Sequence, residues 1–158
     1  MKIGLISDTH GFLDPRLTRI FRGVDHILHA GDIGPDYLIA QLESIAPVTA
    51  VLGNNDNSPC FPLTQVKALG NVKFIVHHIV TPRELNAELK GRVAQEKPDV
   101  VMFGHSHQKF DQVVNGVRFV NPGYAGQPKF GAERSVALLE VSSGKSIEVR
   151  FVKLTDTP

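Results

Sequence analysis

Residues 2–10 read KIGLISDTH, a short apolar run that stops abruptly at Ser7-Asp8-Thr9-His10. A run of this length bounded by polar, turn-prone residues reads as a buried strand followed by a loop. The same shape recurs twice. Residues 26–30 (HILHA) run into Gly31-Asp32, and residues 48–52 (VTAVL) run into Gly53-Asn54-Asn55-Asp56. Between them lie two amphipathic stretches, 15–22 (PRLTRIFR) and 35–45 (PDYLIAQLESI). Each has a proline near its start, which suits a first helical turn. Three strand–loop–helix units in succession predict parallel strands covered by helices.

The second half changes character. Residues 66–69 and 72–76 flank Gly70-Asn71, and Asn115-Gly116 separates QVV from VRFV; both are two-residue hairpin signals. Residues 135–141 and 146–152 are expected to pair across Ser142-Ser143-Gly144. Residues 82–96 (PRELNAELKGRVAQE) give the longest helical pattern, and 99–103 (DVVMF) reads as a buried strand ending at Gly104-His105-Ser106-His107. The expectation is an α/β chain: a two-sheet mixed β-sandwich flanked by helices, with residues 1–158 as a single domain.

Composition agrees. The 158 residues are 42% hydrophobic and 21% charged, enough apolar material for one core. A formal net charge of +1 provides no field to recruit nucleic acid or an anionic membrane. Cys60 is the only cysteine, so an intrachain disulfide and a CxxC metal motif are both excluded. The apolar N-terminal run is too short for a signal-peptide core, and no later stretch approaches a membrane span. Together these predict a cytoplasmic protein without a membrane partner.

The informative feature is where the polar clusters fall. Asp8-Thr9-His10, Asp32, Asn54-Asn55-Asp56, His77-His78 and His105-Ser106-His107 each follow an apolar strand directly. In open α/β sheets, ligand sites form outside the carboxyl ends of the strands. Taken singly, each motif has an ordinary reading: Asp8 and Asp32 as loop caps, Asn54 and Asn55 as left-handed turn residues, a lone histidine as a solvated side chain. Five clusters together gather five of the seven histidines at one edge, which turns do not explain. His26 and His29 keep the ordinary reading, inside or at the start of their strand. Mixed imidazole and carboxylate donors without thiolate suit Mn, Fe, Zn, Co or Ni. Seven donors are too many for one ion. They suit a pair of ions sharing a bridging carboxylate, roughly 3.5–4 Å apart, which clamps an in-line displacement at phosphorus.

In this order, D-x-H, G-D, G-N-x-D, a histidine after an apolar strand and G-H-x-H resemble the calcineurin-like metallophosphoesterases over nearly the whole chain. Asn121-Pro122-Gly123 resembles the segment that follows G-H-x-H in the small bacterial and archaeal phosphodiesterase branch, which also contains a eukaryotic retromer scaffold subunit. The resemblance implies that Asp8, His10 and His107 bind one metal ion, that Asn54, His77 and His105 bind another, and that Asp32 bridges them. It implies a metal-bridging hydroxide attacking phosphorus in a small phosphoester, most simply a phosphodiester. The cofactor would be two divalent ions, manganese first, with Fe, Zn, Ni or Co as alternatives. Asp56 is expected either to orient a ligand or to organise its loop.

Two departures from the family pattern bear on catalysis. Asn55 stands where many members carry a histidine that assists the leaving group; an amide is no general acid, but Asn55 is expected at the substrate as a catalytic residue donating a hydrogen bond to phosphate. His78 stands where the family usually has glycine, and is a candidate for the missing acid. Strand alternation also leaves open that His78 is the ligand instead of His77. The alternatives to a phosphodiesterase are a non-catalytic interaction scaffold and a nuclease. The latter wants a basic groove, for which Lys109 and Arg134 are the candidate cations. Nucleic acid is disfavoured as a partner, and a homo-oligomer is left open.

Overall fold

On β1 (Lys2–Ile6), Ile3 and Leu5 are buried toward one side and Ile6 toward the other, so this strand lies inside the molecule. The computed structural model describes residues 1–129 and 131–154. The next elements are α1 (Leu17–Ile20), β2 (His26–His29), α2 (Tyr37–Glu43) and β3 (Val48–Ala50). Then follow β4 (Thr64–Leu69), β5 (Val72–His77), α3 (Ala87–Glu96) and β6 (Val100–Met102). The hairpin strands β7 (Phe110–Val114) and β8 (Val117–Asn121) precede β9 (Ser135–Val141) and β10 (Ile147–Lys153).

They form two five-stranded mixed sheets, in the orders β10-β9-β1-β2-β3 and β4-β5-β6-β8-β7. The expected parallel unit is present: β1 pairs in parallel with β2, and β2 with β3. In the second sheet β6 lies between β5 and β8, parallel to both. The predicted hairpins close at Leu69↔Val72 and Val114↔Val117. Asn115 and Gly116 both have positive φ, at 51° and 81°, as a two-residue primed turn requires.

The two sheets face each other through Ile3, Leu5, Leu28 and Val51 on one side and Val72, Phe74, Val76, Val100 and Met102 on the other. The outer face of the first sheet is covered by Leu17, Leu38, Ile39 and Leu42 from α1 and α2. The outer face of the second packs Ile75, Val101 and Phe119 against Leu89 of α3. Sheets apolar on both faces explain why their strands read as continuous apolar runs.

All three helices among the described residues are shorter than their sequence patterns, the 35–45 stretch being helical over Tyr37–Glu43. The 15–22 stretch yields a single turn, Leu17–Ile20; Arg16 at its N-cap makes no capping bond, its guanidinium being paired with Asp14 at 2.7 Å. The 82–96 pattern begins helically only at Ala87, because Asn86 caps it: its side chain accepts a hydrogen bond from the Leu89 N–H at 2.8 Å.

Candidate metal centre

Each of the strands β1, β2, β3, β5 and β6 ends in a loop that contributes to one cluster. The backbone there is unusual. Among the described residues, eight that are not glycine have positive φ, and five of them are Asp8 (56°), His10 (47°), Asp32 (52°), His105 (68°) and His107 (58°). Left-handed backbone costs a non-glycine residue about 1–2 kcal/mol. Concentrated at one spot, such conformations mark places where side-chain direction is held against local preference. The other three, Lys97, Asn115 and Lys145, end a helix or turn a hairpin.

The side chains so directed converge. His107 Nε2 lies 3.3 Å from Asp8 Oδ1 and 3.3 Å from His10 Nε2. His78 Nε2 lies 3.1 Å from Asn54 Oδ1, 3.4 Å from Asp32 Oδ2 and 4.0 Å from Asp8 Oδ1. His105 Nδ1 is 2.9 Å from the same Asn54 oxygen. Asp32 Oδ2 sits between the two groups, 3.6 Å from His10 Nε2 as well as 3.4 Å from His78 Nε2.

Surrounding bonds fix these donors. His78 donates from Nδ1 to the Ala30 carbonyl at 2.7 Å, which leaves the Nε2 lone pair facing the cluster. The Asp8 carboxylate accepts the His105 N–H at 3.2 Å. Asn55 grips Asp32 twice, by its backbone N–H at 2.9 Å and its side-chain amide at 2.8 Å. Asp56 accepts from the N–H groups of Ile33, Gly34 and Gly53, tying the loop after β2 to the loop after β3. Asn121 donates to the Gly104 carbonyl and to Ser106 Oγ, shaping the His105–His107 loop. A Cβ on Gly104 would collide with the Ser7 hydroxyl, so only glycine lets this loop approach Asp8.

The donor set fits divalent metal. Two groups, Asp8/His10/His107 and Asp8/Asp32/His78, each bring their ligand atoms within 4.8 Å of one another. Asp8 is fully buried and Asp32 is 2% exposed, and carboxylates this enclosed need a cationic partner. Two imidazole nitrogens 3.3 Å apart likewise need a proton or a cation between them. Burial pushes the Asp8 carboxyl up. Burial also opposes ionisation of Asp32, but the Asn55 hydrogen bonds and the nearby His78 hold that carboxyl below its usual range.

Behind the cluster, His29 is fully buried. The Gly31 N–H donates to its Nδ1, so Nε2–H is left to donate to Thr9 Oγ1 at 3.0 Å, and Thr9 in turn donates to the Ile33 carbonyl. Burial lowers the His29 pKa to about 3. A histidine held neutral in the fold but free to protonate when unfolded stabilises above about pH 6.5, and that stability is lost as pH falls toward 3. His26, His77 and His107 are also lowered, chiefly by burial, and carry the same sign. The urea midpoint of the chelator-treated protein should therefore fall from pH 7 to pH 5, with His29 alone contributing roughly 1 kcal/mol per pH unit. A flat profile would contradict it.

The structure brings together six of the seven expected metal-site residues: Asp8, His10, Asp32, Asn54, His105 and His107. It does not bring in His77. That side chain shares the outer face of β5 with Ile75, and its Nδ1 meets Thr64 Oγ1 at 2.8 Å. Val72, Phe74 and Val76 face the other sheet, and His78 continues their alternation into the cluster. Of the two adjacent histidines it is His78 that turns toward the cluster, 3% exposed with both ring nitrogens engaged. Asn55, expected near substrate, is turned onto Asp32. Asp56 takes the loop-organising alternative. Of the two candidate cations, Lys109 pairs with Glu133 at 2.6 Å, and Arg134 is buried against Asp14 at 2.8 Å. Tyr124 was missed: its ring packs against His107 and His10, with centroids 4.8 and 6.0 Å apart. Its place next to Asn121-Pro122-Gly123 was the one available signal.

Residues 1–144 match the Calcineurin-like phosphoesterase superfamily domain, and the chain belongs to that family. It is 30% identical to a probable metallophosphoesterase of Methanothermobacter thermautotrophicus, across 97% of this chain and 92% of the relative. It is also 30% identical to a phosphodiesterase of Methanocaldococcus jannaschii, across 78% and 83% respectively. Among solved structures, an archaeal phosphodiesterase superposes with a TM-score of 0.76 at 25% identity, covering 98% of this chain and all of the other. Vps29 of Entamoeba histolytica in complex with zinc shares the fold, with a TM-score of 0.74 at 24% identity over 98% of this chain and all of the other. No helix among the described residues is long and apolar enough to cross a membrane.

Proposed function

We propose that this chain is a dinuclear phosphodiesterase acting on small phosphoesters. Asp8, His10 and His107 would hold one divalent ion, and Asn54, His78 and His105 the other, with Asp32 shared between them. The observation that carries the reading is the convergence of Asp8, His10, Asp32, His105 and His107, all on left-handed backbone, with Asn54 and His78 into two adjoining donor groups. Manganese is the expected first choice, with Fe, Zn, Ni or Co able to occupy the same donors. When bound, such ions supply Lewis acidity at the phosphate oxygens and lower the pKa of a water nucleophile.

The chain's own contribution is placement. Asn55 holds Asp32 so that one carboxylate oxygen faces both groups. The Ala30 carbonyl fixes the His78 tautomer, and Asn121 holds the loop that carries His105 and His107. Every histidine of the cluster has a nitrogen turned to a neighbouring donor, so none is left as a dedicated acid for the leaving group. The leaving alkoxide or phenoxide would take its proton from water, which favours substrates with stable leaving groups.

The test combines metal analysis with hydrolysis of bis(4-nitrophenyl) phosphate and 4-nitrophenyl phosphate, with and without added Mn. Two bound ions per chain and a faster diester reaction are expected. Purified protein that takes up no divalent metal, or hydrolyses neither ester with any metal, would overturn the reading.

A further inference from the structure

The polypeptide from Tyr124 to Lys129 folds back around its own aromatic ring. The Tyr124 hydroxyl donates to the Gln127 carbonyl at 3.0 Å, and a Cβ at Gly126 would press into the Tyr124 ring, so glycine is what allows the chain to close over it. The turn is also held from below. Arg134 Nε donates to the Gly126 carbonyl at 2.6 Å while its Nη2 bonds Asp14. The Ser135 N–H donates to the Tyr124 carbonyl at 2.8 Å.

This turn places Lys129 Nζ 4.5 Å over the Tyr124 ring, whose centroid is in turn 4.8 Å from that of His107. The ammonium therefore stands one ring away from the Asp8/His10/His107 group. The neighbouring basic groups are committed. Lys109 is tied to Glu133, and Arg134 to Asp14, whereas no ion pair holds Lys129 among the described residues. A cleft of about 490 Å³ opens beside His107 between Ser106, Gln108 and Lys109 on one side and Ala132 and Glu133 on the other, leaving room for an ester next to the centre.

We infer that Lys129 is the phosphate-binding side chain of this centre, resting on Tyr124 in the free protein and reaching over His107 to the anionic oxygens of a bound phosphoester. A cation–π contact at an exposed site is weak, so it parks the ammonium without trapping it. A phosphate oxygen offers a charge-assisted hydrogen bond that exceeds it. The inference rests on the phosphodiesterase reading for its substrate, but its test need not involve turnover.

The test is titration of inorganic phosphate into the Mn-loaded chain by calorimetry, alongside KM for bis(4-nitrophenyl) phosphate. With metal content equal to wild type, Lys129→Ala should weaken phosphate about tenfold and raise KM by a similar factor, the loss falling on KM more than on kcat. Lys129→Arg should recover most of the binding, and raised salt should shrink the difference. Equal phosphate affinity in wild type and Lys129→Ala would overturn the proposal. So would a wild type that binds no phosphate, or a Lys129→Ala chain that loses its metal. A wild type that hydrolyses neither ester, yet still loses phosphate affinity on Lys129→Ala, would count against the diesterase reading and leave Lys129 in place.

Discussion

Asp32→Asn should abolish most activity, with diester turnover reduced on the order of 10³-fold and both metal ions loosened. Loss of a partner outside the ligand shell typically costs about 10–100-fold, and Asp32 is placed to contact both groups directly. Its Oδ2 is within 3.6 Å of His10 Nε2 and 3.4 Å of His78 Nε2, so one substitution removes charge from both sides of the centre. The amide also meets a geometric conflict. Asn55 offers both of its donors to Asp32, and an amide has one oxygen to receive them. Either the new NH2 faces the Asn55 amide, or it turns toward the imidazole nitrogens where a cation belongs. A collapse of the fold is distinguishable from this. The Asn55 hydrogen bonds and His78 hold the Asp32 carboxyl below its usual range, so the substitution should lower the urea midpoint of the chelator-treated protein at neutral pH while leaving a cooperative transition, which a collapsed chain would lack. Unchanged metal occupancy and an unchanged rate would show that Asp32 is not shared between two ions.

The second large effect separates two adjacent histidines. His78→Ala removes the nitrogen that faces Asn54, Asp32 and Asp8, and should cost one ion per chain and on the order of 10²-fold in rate. His77→Ala removes a hydrogen bond to Thr64 on the far face of the sheet, and should cost about 1 kcal/mol of stability while leaving metal content at the wild-type value. Metal analysis of the two purified proteins, with urea unfolding of each, decides between them. The reverse pattern would restore the assignment that the family register suggests.

The His77/His78 ambiguity shows where a sequence stops being informative. In VKFIVHH the alternation Val72, Phe74, Val76 continues to His78, but Ile75 is apolar too, because helix α3 buries the outer face of this sheet. With apolar residues on both faces, period-two counting loses its anchor, and parity cannot be assigned until the strand has a neighbour on each side. Asn55 and Asp56 lie beyond legibility for a different reason. Their roles consist of bonds to residues 32–34 and to Gly53, and the first of these partners are more than twenty residues away. The basic residues near the centre are a third case. Lys109 and Arg134 read as candidate cations, yet Glu133 and Asp14 neutralise them, and the ammonium that no ion pair holds among the described residues is that of Lys129, over the Tyr124 ring. By contrast, the hairpin at Asn115-Gly116 and the Asn86 cap carry their structural reasons locally, in two and four residues.

By itself the sequence determined the two-sheet architecture, the edge at which the polar clusters meet, and six of the residues gathered there. Apolar runs ending in Asp, Asn and His are local signals, and a parallel unit must bring such ends to the same side. Only the tertiary structure decided which of two adjacent histidines enters the cluster, what holds Asp32, and which lysine lies over the Tyr124 ring next to His107. Each of those depends on a side chain meeting a partner far away in the chain, and that meeting exists only once the sheets have packed.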